Sequence, residues 1–305
     1  MVNTMDKVLL FAATQKGLET LVGAVEAGRA NSVGCVVTFK ETVAVSFERE
    51  IIHHCEMHNI PFFYWGKIRN SLETLISEMG ITVVVAIGWR YLLPVSINKL
   101  LKYPIIVFHD SMLPKYRGFA PTPTALICGE KSVGVTALFA AEEVDKGEII
   151  WQKEIPVDDD YIQNIIDKQS KAYIEGFLYL LESIDNGAIF STPQNESMAT
   201  YSIWRSLDDC KINWGTSARE IYNFVRALGA PYPGAYTHYK NKKIIVLRVK
   251  LVPDIPFAIR DYGKLWLITE GKPTIICGSG MIQIEKAIYD DGESVIFDTL
   301  REKLR

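Results

Sequence analysis

The chain has 305 residues, 48% hydrophobic and 23% charged, with a formal net charge of −3. That length buries a substantial core and suits two domains, while the small net charge excludes a general attraction to nucleic acid or to an anionic membrane. No apolar run reaches membrane-spanning length, Met1 to Asp6 lacks the regions of a secretory signal, and the five cysteines are scattered without a Cys-x-x-Cys, which together read as a cytoplasmic protein with reduced thiols.

Lys7 to Ala12 is an apolar run that predicts a first buried strand. Gly17 to Gly28 places Leu18, Leu21, Val22 and Val25 on one helical face. Val33 to Phe39, Pro61 to Trp65 and Ile81 to Ile87 predict further strands, with helices over Phe47 to His58 and Leu72 to Met79 between them. Strands alternating with helices at this spacing imply βαβ units, hence a mainly parallel sheet with right-handed crossovers. No Gly-x-Gly-x-x-Gly follows the first strand and no Walker-type loop is present. His54 and His58 lie one helical turn apart, but no further ligand cluster stands near them, so a solvated helix face is preferred to a metal site. Gly88-Trp89-Arg90-Tyr91 follows the fourth strand at the sheet edge where α/β folds collect ligands.

The most informative stretch runs from Val107 to Gly147. The apolar run Ile105 to Phe108 meets a polar step at His109, as when a buried strand delivers a side chain to the carboxyl edge of a sheet. Ser111-Met112-Leu113-Pro114-Lys115-Tyr116-Arg117-Gly118 then holds the backbone tightly beside that histidine. A second strand, Val133 to Ala140, leads to Asp145-Lys146-Gly147. A histidine and a carboxylate brought to one place can move a proton off a nucleophile.

Asp158 to Asp160 precedes a long helical pattern, Ile162 to Asn186, whose N-terminus an acidic run suits through the macrodipole. Gly187 to Ala199 has little periodicity and reads as a linker, dividing a domain at 1–190 from one at 200–305. In the second, a helix over Ser217 to Leu228 is broken by Pro231 and Pro233. Strands follow over Ala235 to His238, Lys243 to Val252, Lys264 to Thr269, Thr274 to Cys277 and Met281 to Ala287, with Cys277-Gly278-Ser279-Gly280 as a hairpin turn and a terminal helix over Val295 to Leu304. Several short strands with turns between them suit a small barrel of the OB type.

His109, Ser111, Leu113, Pro114, Tyr116, Arg117, Gly118, Gly134, Thr136, Asp145 and Gly147 fit the motif series Asn-x-His-x-Ser-x-Leu-Pro-x-Tyr-Arg-Gly, Gly-x-Thr and Asp-x-Gly. Trp214, Arg226, Ala227, Pro233, Gly234 and Ala235 match a second series further on. The chain thereby resembles the folate-dependent formyltransferase family, which includes methionyl-tRNA, glycinamide ribonucleotide and sugar N-formyltransferases. Within it the likeness is to sugar-nucleotide enzymes such as the UDP-4-amino-arabinose formyltransferase domain. The family's catalytic asparagine falls here on Val107, which cannot donate a hydrogen bond.

The resemblance implies an α/β fold, an open and mainly parallel Rossmann-like sheet followed by a smaller OB-like barrel. It implies 10-formyltetrahydrofolate as cosubstrate and a primary amine as acceptor. His109 and Asp145 would be catalytic, and Gly88, Trp89, Arg90, Tyr91 and Asp145 would hold the folate. Ser111, Arg117, Arg205 and Arg226 are expected to contact the acceptor, and no metal is expected. Lys40 to Glu50, where the tRNA enzymes of the family carry a basic insertion, is short and bears both signs of charge. Thr200 to Arg305 carries +4 and the rest of the chain −7, a weak footprint for a polyanion. A nucleotide-linked amino sugar is thus the expected acceptor, with UDP as the nucleotide and a cell-surface glycan such as lipopolysaccharide as destination; no nucleic acid or membrane partner is expected, and the family reading is compatible with a homodimer. Two alternatives remain: a methionyl-tRNA formyltransferase, and a binding protein that has lost catalysis through Val107.

Overall fold

The computed structural model describes residues 6–42 and 45–305. Met1 to Met5, scanned above for a targeting segment, and Val43 and Ala44, inside the stretch 40–50, lie outside the described residues. Strand β1 (Val8–Ala12) leads to helix α1 (Thr14–Glu26), β2 (Val33–Thr38), α2 (Glu48–Met57), β3 (Phe62–Tyr64), α3 (Trp65–Ile68), α4 (Leu72–Met79) and β4 (Val83–Ile87). Then come β5 (Ile106–His109), the short β6 (Arg117–Gly118), α5 (Pro121–Ile127), β7 (Ser132–Phe139), β8 (Ile149–Pro156), α6 (Ile162–Asp185) and β9 (Tyr201–Ser202). The remaining elements are α7 (Ala218–Ala227), β10 (Ala235–Tyr239), β11 (Lys242–Val252), β12 (Leu265–Thr269), β13 (Lys272–Ile276) and β14 (Met281–Tyr289).

Two compact units result. Among the described residues, the first comprises those up to Phe119, Ser132–Pro156 and Ile166–Ser202; the second comprises Ala120–Lys131, Val157–Ile165 and Ile203–Arg305. This differs from the single cut near residue 190 expected from composition. Helix α5 packs on α7, so an early piece of chain joins the later unit. The apparent linker Gly187 to Ala199 belongs to the first unit: Thr192 pairs with Ile149, and Glu196–Met198 forms a 3-10 turn. Low periodicity there reflects irregular but hydrogen-bonded backbone, which periodicity cannot detect.

The first unit is built on a seven-stranded sheet in the order β3-β2-β1-β4-β5-β7-β8. β1 to β5 pair in parallel, and β7 and β8 add antiparallel strands. All five residues of β1 are fully buried, which explains its uninterrupted apolar run. The strand order reverses between β1 and β4, so the crevice beyond the carboxyl ends of β1, β4 and β5 is where such a sheet receives ligands.

The second unit has a five-stranded antiparallel sheet in the order β10-β11-β14-β13-β12. Trp214, Ile221, Val225, Ile244, Val246, Ile282 and Ile284 are among its core. The terminal helix expected over Val295 to Leu304 is absent. Those residues are irregular with a turn at Leu300 and Arg301, Val295 N–H donating to Ala287 O and Leu304 N–H to Gly263 O. Phe297 and Leu304 are buried while Ile296 and Leu300 are exposed, so the segment is pinned at separate points and not along a helical stripe. Among the described residues, no helix is long and apolar enough to cross a membrane.

Candidate active site

β5 ends on His109, which is 8% exposed at the carboxyl edge of the first unit's sheet. Its Nε2 lies 2.8 Å from Tyr116 O, and its Nδ1 lies 3.5 Å from Asp145 Oδ2. A carbonyl can only accept, so Nε2 carries the hydrogen and donates to Tyr116 O. In the neutral ring, the Nδ1 lone pair therefore faces a carboxylate. A proton taken up at Nδ1 completes an imidazolium with an acceptor on each side. Tyr116 reaches this position with φ +60°, an uncommon region for a bulky side chain, and its own N–H donates to Thr200 Oγ1 at 2.9 Å.

Asp145 also has a left-handed backbone, φ +58°. Its Oδ2 accepts from Gly118 N–H at 2.8 Å, which aims the carboxylate at His109. Two glycines of the motif are dictated by space: a Cβ at Gly147 would come within 1.6 Å of Phe139 O, and one at Gly118 within 2.6 Å of Ser202 O, where φ is +96°. Thr136 ties the histidine turn to β7. Its hydroxyl donates to Ser111 O at 2.6 Å and accepts from Gln152 Nε2 at 2.9 Å.

The expected acceptor contacts separate on inspection. Ser111 is buried and its hydroxyl donates to Lys115 O at 2.6 Å, so it closes the turn after His109. Arg117 is fully buried, and its guanidinium is taken up by Gln194 Oε1 at 2.7 and 3.2 Å and by both oxygens of Glu196 at 2.6 and 2.9 Å. It is a structural post of the first unit, with no exposed face for a ligand. Glu196 raises the guanidinium pKa, and Arg117 lowers that of Glu196. Arg226 belongs to the second unit, 5% exposed, donating to Asn223 Oδ1, Asp158 O and Asp160 O. Burial lowers its pKa. The hydrogen bonds that Arg226 makes hold α7 to residues 158–160, and the same residue lines a cleft with Arg219 and Asn223. Arg205, also in the second unit, is half-buried, with its Nε bonded to none of the described residues.

Gly88 has φ +61°, and a Cβ there would come within 2.3 Å of Ala13 O and Thr14 Oγ1. Beyond it, Trp89 packs edge-on against Phe11, Phe39 and Trp65, with ring centroids 4.8, 5.0 and 5.6 Å apart. Arg90 pairs with Glu41 at 2.9 Å and lies over Phe39 and Tyr91. Among the described residues, nothing accepts a hydrogen bond from the backbone N–H groups of residues 89–92, and the buried indole N–H of Trp89 has no partner. Trp89, Leu93, Val107 and Ala140 are partly buried against one apolar cluster. An apolar surface edged by unused backbone donors fits a flat heterocycle with polar edges, such as a pterin. Val107 therefore has apolar neighbours, and its side chain brings no donor.

Sequence reasoning missed two groups. Asp110, next to His109, receives Lys16 Nζ on Oδ2 at 2.6 Å and Tyr173 OH on Oδ1 at 2.6 Å. Burial raises its pKa, but the charge and hydrogen bond of Lys16 and the bond from Tyr173 outweigh that and leave it lowered. Gln194 spans Arg117 and the Asp145 turn. Neither carries a local signal, since each partner lies tens of residues away in sequence. Among the described residues, no three His, Cys, Asp or Glu side chains gather as a metal-binding group. The rings of His54 and His58 stand 4.5 Å apart.

Residues 6–176 match the family described as formyl transferase, and residues 206–297 match the formyl transferase C-terminal domain. Methionyl-tRNA formyltransferase of Thermodesulfovibrio yellowstonii is 38% identical over 229 residues, 74% of this chain and 70% of that protein. For that of Sulfurihydrogenibium sp. the figures are 33% over 198 residues, 64% of this chain and 63% of that protein, so the chain spans less than two thirds of this relative's length. Among solved structures, WlaRD, a sugar 3N-formyl transferase in the presence of dTDP and 5-N-formyl-THF, is similar with a TM-score of 0.68. It is 18% identical, and the likeness covers 98% of this chain and all of that one. The Met-tRNA enzymes carry the likeness in sequence, the WlaRD structure carries it in fold, and the matched domains take in both units: the chain belongs to the formyltransferase family.

Proposed function

We propose that this protein is an N-formyltransferase that moves a formyl group from 10-formyltetrahydrofolate to the amine of a nucleotide-linked 4-amino sugar, with UDP as nucleotide and a cell-surface glycan as destination. The single observation that carries the activity is His109, held through Nε2–H on Tyr116 O with Nδ1 opposite Asp145. Bound beside it, the folate supplies an electrophilic formyl carbon. The backbone donors of 89–92 and the apolar surface of Trp89, Leu93, Val107 and Ala140 would hold its ring. His109 accepts the proton of the attacking amine at Nδ1, Asp145 stabilises the resulting imidazolium, and the imidazolium returns that proton to the folate nitrogen as its bond to the formyl carbon breaks. Asp145 keeps its aim through Gly118 N–H. Backbone N–H groups or an ordered water, in place of the asparagine amide, meet the charge that develops on the formyl oxygen.

Coverage supports a sugar acceptor. WlaRD matches this chain end to end, as does the Helicobacter canadensis N-formyltransferase solved with folinic acid and dTDP-3-aminofucose. The Clostridium thermocellum methionyl-tRNA formyltransferase structure matches 81% of this chain and 94% of that one, with a TM-score of 0.56. Sequence matches to methionyl-tRNA formyltransferases, at 30–38% identity, favour Met-tRNA as the second reading. The deciding experiment is mass spectrometry of UDP- and dTDP-amino sugars and of charged initiator tRNA, each incubated with protein and 10-formyltetrahydrofolate. A mass gain of one formyl group on a UDP-4-amino sugar, lost in His109→Ala, is expected. Formylation of the tRNA alone selects the second reading, and binding of donor without transfer to any acceptor indicates a protein that has lost catalysis.

A further inference from the structure

We propose that Gln194 is a positioning residue for proton transfer: it locks the left-handed turn that aims Asp145 at His109. The inference rests on the reading of His109 and Asp145 as the proton-handling pair. Gln194 Nε2 donates to Asp145 O at 2.7 Å and to Gly147 O at 2.8 Å, so one amide holds both ends of the Asp-Lys-Gly turn. Its Oε1 is fixed by two donors of the fully buried Arg117. With the oxygen so occupied, the amide cannot flip without turning its NH2 toward the guanidinium and its oxygen toward two carbonyls.

The turn needs such a clamp. Asp145 is a non-glycine residue at φ +58°, a conformation that costs energy unless its surroundings impose it. Gly147 sits so close to Phe139 O that the turn has no room to shift toward β7. Gln194 closes the other side. Arg117, Gln194 and the 145–147 turn thus form one path: a buried charge fixes an amide, the amide fixes a turn, and the turn fixes a carboxylate. Arg117 also sits one residue after Tyr116, whose carbonyl holds the opposite nitrogen of the same imidazole. Both sides of His109 are therefore set from one buried guanidinium. Such a path explains why a fully buried arginine stands inside a motif that otherwise reads as a ligand loop.

The test follows the ring 15N signals of His109 through a pH titration of the full-length protein, with His109→Asn to identify them. The parent should show the Nε2–H tautomer at high pH. In Gln194→Met, which keeps the bulk and loses both donors, the carboxylate is released and the ring 15N signals of His109 should depart from those of the parent through the titration. Ser191→Ala removes another side-chain tie from the same segment, the hydroxyl that bonds Glu148, and should leave the titration where it is. If Gln194→Met does not fold, Gln194→Glu serves in its place, since it keeps an oxygen for Arg117 and loses both donors. A folded Gln194 variant whose His109 titrates as in the parent overturns the proposal, and so does an equal shift in Ser191→Ala. No acceptor is needed for this readout, so its outcome is separate from that of the formylation assay.

Discussion

Arg117 and Arg226 are alike in sequence and opposite in use. Each stands in a motif segment, and each loses nearly all exposure on folding. Arg117, in the first unit, is met by side chains, and one of them leads on to the Asp145 turn. Arg226, in the second unit, is met by Asn223 and by the carbonyls of Asp158 and Asp160, where the chain enters α6. A guanidinium spent on side chains can transmit its position to a reactive group. One spent on backbone carbonyls holds two segments together and transmits nothing further.

That contrast can be broken by exchanging each arginine. Arg117→Met should lower formyl-transfer kcat by on the order of 10²-fold, because a carboxylate displaced by about an ångström no longer serves the histidine. Steady-state kinetics at a temperature where the variant is folded checks this, and parental kcat would refute the transmission from Arg117. Arg226→Met should leave kcat at the parental value and lower stability by about 2 kcal/mol, through carbonyls left without donors. Denaturant unfolding reads the second effect, and a large kcat loss with normal stability would erase the distinction between the two arginines.

Asp110 sharpens the comparison inside the first unit, being a carboxylate next to His109 in the chain that is met by Lys16 and Tyr173. Its folded pKa lies below the ordinary value, so its contribution is present above that value and is lost as pH falls through the depressed one. Asp110→Asn should therefore be less stable than the parent at neutral pH, by about 1.5 kcal/mol. The two melting temperatures should converge as pH falls through that depressed value. A deficit independent of pH would show that the charge on Asp110 contributes nothing.

Val107→Asn should change turnover by less than about tenfold if backbone N–H groups or water already serve the formyl oxygen. A gain near 10²-fold would mean that the parent works with a donor missing. The smallest effect concerns Cys128, the exposed thiol beside the cleft that Arg226 lines. Burial pushes Cys35, Cys55 and Cys277 up to about 12 and raises Cys210 as well. Native protein at pH 8 should thus react with one equivalent of a maleimide, at Cys128, without loss of activity. A second modified thiol found by peptide mapping would show the core of one unit to be open.

Periodicity and local chemistry alone were enough for the strand-and-helix alternation of residues 7–87, the step from β5 to His109, the Asp145 turn and the helix over 217–228. These features are local: apolar spacing follows from which face is buried, and turn glycines follow from steric limits within a few residues. Long-range pairing decided the rest. Only folding brings Gln194 to Asp145 and Lys16 to Asp110, across 49 and 94 residues of chain, and neither partner bears a mark of the other. Only folding takes Arg117 out of solvent, which turns an apparent ligand contact into a post. The C-terminal segment shows the same limit in reverse, since Val295 to Leu304 carries a passable helical pattern. Hydrogen bonds to Ala287 and Gly263 tie it down without a helix instead, because pairing with distant backbone satisfies its polar groups while Phe297 and Leu304 fill the core.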